Sequence, residues 1–307
     1  MPFSRLRFAM VEKHIEVHTA DYLINNSSLN FDLEYNSFGI VNNYKRLLEN
    51  GRVKLKNFVI MEPPVVAPKL YKSLPELTKF FERVYVHNTI GDGYALKGVD
   101  LSKLRTLFWP QPHKQVLDPY WSCDQRQNRI VVINSNHIPR SLSGELYSKR
   151  IDAMVSMAKT GLVDLYGHGW HKWWSHRSMW PPYWLNYRTL MSIYRGSCES
   201  KYEILSQYRF SLCFENMEMD GYVTEKIFDC LYAGCIPLYL GAKNINKLIP
   251  PDAYIDCRKF ASWDQLIENI MLISNYEISS IREAGRAFIE GPENLKYYNS
   301  LVNIFSE

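Results

Sequence analysis

Thr224, Glu225 and Lys226 stand together where a helix should begin, and their types suit an anionic ligand. A threonine just before the first helical residue can cap it. That leaves Glu225 and Lys226 in the first turn, beside unpaired backbone N–H groups and the positive end of the helix dipole. A diphosphate fits such a place. Lys226 adds a full positive charge, whereas Glu225 is unfavourable beside a phosphate and better used on the hydroxyls of a ribose or a sugar. The combination suggests a nucleotide-sugar. Taken as an isolated tripeptide, Thr-Glu-Lys is also what an ordinary solvated helix start looks like.

The elements that must position these residues lie between Gln207 and Gly241. An apolar run from Phe210 to Phe214 predicts a strand, a polar hinge continues through Gly221, an amphipathic run from Glu225 to Ala233 predicts a helix, and Ile236 to Leu240 predicts a second strand. Gly234 is placed to end the helix. Strand, crossover helix and strand at this spacing imply a parallel βαβ unit, whose ligands sit outside the carboxyl ends of the strands. The segment from Glu215 to Lys226 therefore faces the ligand.

The whole stretch resembles the signature of glycosyltransferase family 10, the α-1,3/4-fucosyltransferases. The matching residues are Phe210, Leu212, Phe214, Glu215, Asn216, Tyr222, Thr224, Glu225, Lys226, Ile236, Pro237 and Gly241. The resemblance implies an α/β protein of the GT-B type, two Rossmann-like lobes facing across a cleft, the second binding the donor and the first mainly the acceptor. It implies GDP-β-L-fucose as donor, a glycan hydroxyl of N-acetyllactosamine type as acceptor, and inversion at the anomeric carbon. Asn216 and Tyr222 are then hydrogen-bonding groups beside the donor, with Thr224, Glu225 and Lys226 as read above.

Inversion in a single displacement needs a base on the face opposite the departing nucleotide. The run Lys54 to Met61 reads as a buried strand leading straight into Glu62-Pro63-Pro64, where the prolines end the strand. A lone glutamate there is more often an ordinary loop charge. In the family, a first-lobe strand ends in a Glu proposed as general base, and the resemblance assigns that role to Glu62. A helix with PELTKFF and a strand with ERVYVHN follow in the expected order. The second lobe opens with the strand Arg129 to Asn136, an amphipathic helix from about Glu145 to Lys159, and the run VDLYGHG. Periodicity alone leaves Arg150 as an exposed helix residue; the resemblance places it on the donor diphosphate, where its planar fork suits phosphate oxygens. Arg140 in the preceding loop is the rival for that contact. No Asp-x-Asp pair lies near the site to hold a divalent ion, so no metal and no cofactor beyond the donor is expected; Lys226, Arg150 and the helix start would carry the leaving-group charge.

The expected organisation is an acceptor-binding lobe over 1–115, a proline-containing linker over 116–128, a donor-binding lobe over 129–290 and a C-terminal helix over 291–307. Residues 1 to about 50 are weakly periodic, with LRFAMV and IEVHTADYLI read as short strands and VNNYKRLLEN as a short helix. Gly169 to Trp184 holds five of the eight tryptophans, interleaved with His171, Lys172, His176 and Arg177. It fits an aromatic core patch, a sugar-stacking surface or an interfacial surface; with His168 it offers no carboxylate or cysteine at metal-ligand spacing.

At 307 residues, 46% apolar and 22% charged, the chain can bury a core in each of two lobes. A net charge of +4 is too small to imply nucleic acid, and no recognition motif for it is present. The six cysteines form no C-x-x-C pair and several of them lie in apolar patterns, as reduced thiols of a reducing compartment do. No apolar run is long enough to span a bilayer and the N-terminus lacks a signal-peptide core. This resembles the bacterial family members and points to the cytoplasm, with peripheral contact at the inner membrane face and a role in surface polysaccharide or lipopolysaccharide synthesis. Three other functions compete: a transferase of another GDP-deoxysugar, a non-catalytic nucleotide-sugar or carbohydrate-binding protein, and a dinucleotide oxidoreductase. The last lacks G-x-G-x-x-G, since GDGYALKG at Gly91 breaks that spacing.

Overall fold

The computed structural model describes residues 1–19, 21, 33–41, 44–48, 51–172 and 180–306. They form two units, one of residues 1–112 with 295–307 and the other of residues 113–294.

In the first unit, strands β1 (Leu33–Phe38), β2 (Val53–Val59), β3 (Arg83–Val86) and β4 (Leu104–Thr106) pair in that order, all parallel. Successive strand residues point to opposite faces, and each face buries its own cluster. Phe58, Val84 and Val86 meet Leu74 and Leu77 of a helix from Leu74 to Phe80, whereas Val59 and Tyr85 meet Leu6, Met10, Leu301 and Ile304. Leu6 and Met10 belong to α1 (Pro2–Val11), which takes the place of the strand expected for LRFAMV. Their i, i+4 spacing sets both on one helical face, and Pro2 suits a first helical turn. Of the second expected strand, residues 15–19 have no regular structure, and 20 and 22–24 lie outside the described residues. The C-terminal helix Ser300–Ser306 completes this layer, with the Asn57 side-chain amide donating to the Ile304 carbonyl at 3.0 Å.

The second unit carries a parallel sheet of β5 (Gln127–Ile133), β6 (Val163–Tyr166), β7 (Tyr194–Gly196), β8 (Tyr208–Phe214), β9 (Ile236–Leu240) and β10 (Ile255–Asp256), in the spatial order β10-β9-β8-β5-β6-β7. The chain begins in the middle, winds outward through β6 and β7, then returns to add β8 beside β5. That is the Rossmann order, with its switch point between β5 and β8. Every residue of β9 is buried, as are all but one of β8, as expected for central parallel strands covered on both faces. One buried carboxylate ties four strands: Asp164 accepts from Arg129 of β5, Arg195 of β7 and the Tyr208 hydroxyl of β8. The helices that position the site are α2 (Tyr147–Ala158) after β5, α3 (Lys201–Ser206) before β8, and α4 (Glu225–Ala233) between β8 and β9. Two Rossmann-like units with parallel sheets make this the α/β GT-B class that the motif implies. All six cysteines are unpaired, four of them buried.

Gly234 ends α4 in the left-handed region at φ 69°, with the Cys235 N–H donating to the Cys230 carbonyl across the turn. A Cβ there would lie 3.0 Å from the Trp121 ring and 3.1 Å from the Arg126 guanidinium. Gly234→Ala should therefore destabilise the fold by about 1–2 kcal/mol from the left-handed backbone alone, with crowding adding to it. Urea unfolding measures this, and an unchanged midpoint would contradict it.

Candidate functional site

The residue that follows β8, Glu215, is a fully buried carboxylate. A buried charge is tolerable only when paired and hydrogen-bonded, and Glu215 is both. Its Oε1 accepts from the Thr224 N–H at 2.8 Å; its Oε2 accepts from the Thr224 hydroxyl at 2.8 Å and the Lys226 ammonium at 3.0 Å. Thr224 is the N-cap of α4, its hydroxyl accepting from the Lys226 backbone N–H. Gly241 makes room: a Cβ there would sit 2.5 Å from Glu215 Cγ. Burial pushes the Lys226 ammonium toward losing its proton, but Glu215 and Glu225 outweigh burial and raise it above its ordinary value. Lys226 thus stays charged with its side chain 22% exposed.

Arg150 is buried rather than exposed, at 3%. Its Nη2 donates to the carbonyls of Phe214 at 2.7 Å and Glu215 at 2.9 Å, which fixes the end of β8 against α2. Burial holds the guanidinium below the usual arginine value, opposed by Tyr147 and Glu215.

Above these groups lies a cavity of about 380 Å³ at the carboxyl ends of β5 and β8, where strand order reverses. Arg150, Asn216, Glu225 and Lys226 line it. The Tyr222 hydroxyl accepts from the Asn216 amide at 3.4 Å; Tyr222 and Thr224 are buried and absent from the lining. Arg140 is exposed and also absent from it. Asn134 and Ser135 beyond β5, Gly167 and His168 beyond β6, Cys198, Lys201 of α3 and Asp229 of α4 contribute further lining. Gly167 is required where it stands, at φ 136°, since a Cβ would meet the Asn134 carbonyl oxygen at 2.0 Å. Burial raises the carboxyl groups of Glu225 and Asp229. Lys226 and Lys201 more than reverse this for Glu225, which ends below its ordinary value, while Asp229 ends above its own despite Lys201 at 3.1 Å. The result is a cavity with cations and a helix start at one end and acceptors along one wall, which suits a phosphorylated, hydroxyl-rich ligand.

Glu62 belongs to the first unit, at the carboxyl end of β2, where its side chain is exposed. Its peptide is held on both sides. The buried His87 ring donates from Nε2 to the Met61 carbonyl at 2.7 Å, and the Tyr71 hydroxyl donates to the Glu62 carbonyl at 3.1 Å. His87 also stacks at 12° on Trp109, with centroids 6.1 Å apart. In the tryptophan-rich segment, Trp170 and Trp180 are core residues and the Trp170 indole donates to the Asn134 carbonyl at 2.7 Å. His176 and Arg177 lie outside the described residues. Among the described residues no group of three or more His, Cys, Asp or Glu could hold a metal ion, and no helix is long and apolar enough to cross a membrane.

Two Rossmann-like units with parallel sheets, one with an anion-suited cavity at its switch point, place the chain in the GT-B fold class. Residues 123–279, just over half of the chain, match the family model described as glycosyltransferase family 10 (fucosyltransferase), C-terminal part. The chain belongs to that family. It is 38% identical to an alpha-(1,3)-fucosyltransferase, FucT, of Helicobacter pylori over 79 residues, 26% of this chain, and 44% identical to an alpha-(1,4)-fucosyltransferase of Arabidopsis thaliana over 62 residues, 20% of this chain. These matches span 16% of each relative's length. The fold is similar to Anabaena Alr3699/HepE, crystallised with UDP, at a TM-score of 0.55 and 10% identity, covering 94% of this chain and 79% of the other.

Burial lowers the His87 pKa from 6.5 to about 4, with the bond to Met61 opposing. The unfolded chain therefore takes up a proton that the folded one refuses. The stability involved, on the order of 3 kcal/mol, is fully present above about pH 6.5 and lost as pH falls toward about 4. Unfolding free energies at pH 7, 5 and 4 should fall less steeply in His87→Gln than in the native chain; equal slopes would contradict the assignment.

Proposed function

We propose that the protein is an inverting fucosyltransferase that moves L-fucose from GDP-β-L-fucose to a hydroxyl of an N-acetyllactosamine-like glycan, in α-1,3 linkage, in surface polysaccharide or lipopolysaccharide synthesis. The observation that carries this reading is the cavity at the switch point, where Arg150, Lys226 and the start of α4 converge beside Glu225. The family membership and the names of the relatives support the same donor.

In this mechanism Glu62 takes the proton of the acceptor hydroxyl as the oxygen attacks the anomeric carbon. The bond to the β-phosphate breaks on the opposite face, and GDP leaves with increasing negative charge. Lys226, Arg150 and the backbone N–H groups of α4 stabilise that charge because they are already in place before reaction. Their three positive contributions are sufficient for a departing diphosphate, so a divalent ion is not required. Glu225 accepts from ribose or fucose hydroxyls, and Asn216, with Tyr222 behind it, hydrogen-bonds the donor.

The test is GDP release from GDP-fucose with and without N-acetyllactosamine, in EDTA throughout. Acceptor-dependent release is expected. In Glu62→Gln the turnover should fall by roughly 10²- to 10⁴-fold while GDP affinity holds, the range for a positioned general base. Near-native turnover in that variant would remove Glu62 from the mechanism. GDP binding without any release would leave another GDP-deoxysugar, another acceptor or a binding role.

A further inference from the structure

Glu62 is exposed, yet the backbone that carries it is held more firmly than an ordinary loop charge requires. Two peptide groups flank its Cα. The carbonyl of the first, Met61, accepts from the His87 ring at 2.7 Å, and the carbonyl of the second, its own, accepts from the Tyr71 hydroxyl at 3.1 Å. Pro63 follows, and a residue before proline is confined to extended backbone. Pro63 is itself buried, and its carbonyl accepts from the N–H groups of Val66 and Ala67, both at 2.9 Å. With the peptides on both sides held, the direction in which the Glu62 side chain leaves the backbone is set.

The two donors are joined behind the loop. Tyr71 lies on the helix Pro68–Lys72, its ring centroid 4.8 Å from that of Tyr94. The Tyr94 hydroxyl donates to the carbonyl of Asn88, the neighbour of His87 just beyond β3. Asn88 fixes its own turn, its amide donating to the Asp92 carbonyl at 3.1 Å and its Oδ1 accepting from the Asp92 N–H at 3.0 Å. A closed circuit therefore runs from the Glu62 carbonyl through Tyr71, Tyr94, Asn88 and His87 to the Met61 carbonyl. Tyr71, His87 and Asn88 are all buried. Burying His87 uncharged lowers stability in acid, and such trade-offs gather at functional sites.

We propose that His87 and Tyr71 are positioning residues that hold the Glu62 carboxylate toward the acceptor hydroxyl, an inference that rests on the reading of Glu62 as general base. Both act through the backbone of Glu62 and not on a reacting atom. A base displaced by about 1 Å loses on the order of 10²-fold in rate. The groups assigned to the donor belong to the other unit, so the loss should fall on turnover and spare donor binding.

Initial rates of GDP release from GDP-fucose with N-acetyllactosamine test this in the full chain, with each variant alone and combined with Glu62→Gln. Tyr71→Phe keeps the ring against Tyr94 and loses only the hydroxyl bond, so kcat should fall roughly 3- to 10-fold, the range for one hydrogen bond. His87→Leu should lower kcat by roughly 10- to 100-fold. His87→Gln, whose amide donates from near the position of Nε2, should recover most of that loss. The KM for GDP-fucose should stay within about twofold in all three, since uniform binding is untouched. Neither Tyr71→Phe nor His87→Leu should lower kcat further in the Glu62→Gln background, where the base they position is gone. Native-like kcat in both single variants overturns the positioning role, and so does an equal further loss in the Glu62→Gln background. Near-native kcat in Glu62→Gln, or no acceptor-dependent release by the native chain, overturns the underlying reading instead, so the two failures are distinguishable. If His87→Leu does not fold, Tyr71→Phe alone and with Glu62→Gln decides by the same criteria.

Discussion

A single buried carboxylate organises the second unit's site. Glu215 leaves β8 with no solvent access, and the only way to keep a charge there is to give each oxygen a donor. Those donors come from Thr224 and Lys226, at the start of the next helix. Satisfying Glu215 thus sets the direction in which α4 leaves the sheet, caps the helix and anchors Lys226 at the cavity wall. Arg150 adds the complementary constraint, binding the carbonyls on either side of the Phe214–Glu215 peptide bond. Glycine at 241 is the price of the arrangement, since any side chain would overlap the glutamate.

This division of labour changes the view of the motif. Thr224, Glu225 and Lys226 look alike in sequence as helix-start residues, yet they do different work. Thr224 is buried and structural, Glu225 faces the ligand space, and Lys226 does both, holding Glu215 while keeping part of its ammonium in the cavity. Because the cations are already held by protein groups, a diphosphate entering the cavity would meet a preformed positive end, as the proposed function requires.

Local chemistry made much of this legible in the sequence. The βαβ unit announced itself through hydrophobic periodicity, the Thr224 cap and Gly234, all of which act within a few residues. The parallel βαβ unit followed from that local signal, because a crossover helix leaves few other choices. What escaped reading was non-local. Lys201 and Asp229 meet across 28 residues, and the pairing leaves no mark on either segment. Arg150 looked like a surface residue because its partners are carbonyls of a strand 64 residues away. Glu215 was visible in the motif without its role, since nothing in a Phe-Glu-Asn run says that the glutamate turns inward. In the first unit, LRFAMV alternates enough to pass for a strand, and only packing of Leu6 and Met10 against Leu301 and Ile304, at the other end of the chain, makes it a helix.

Glu215 and Lys226 depend on each other. A double-mutant cycle of Glu215→Gln, Lys226→Met and the pair, followed by urea unfolding, measures it most directly. Glu215→Gln removes the buried partner of the ammonium, leaving only Glu225 at 4.0 Å, and should cost about 3–5 kcal/mol, with Lys226→Met in the same background recovering part of the loss and a coupling of roughly 1–3 kcal/mol between the sites. Additive effects, or a Glu215→Gln protein as stable as the native one, would show that the carboxylate does not organise the site.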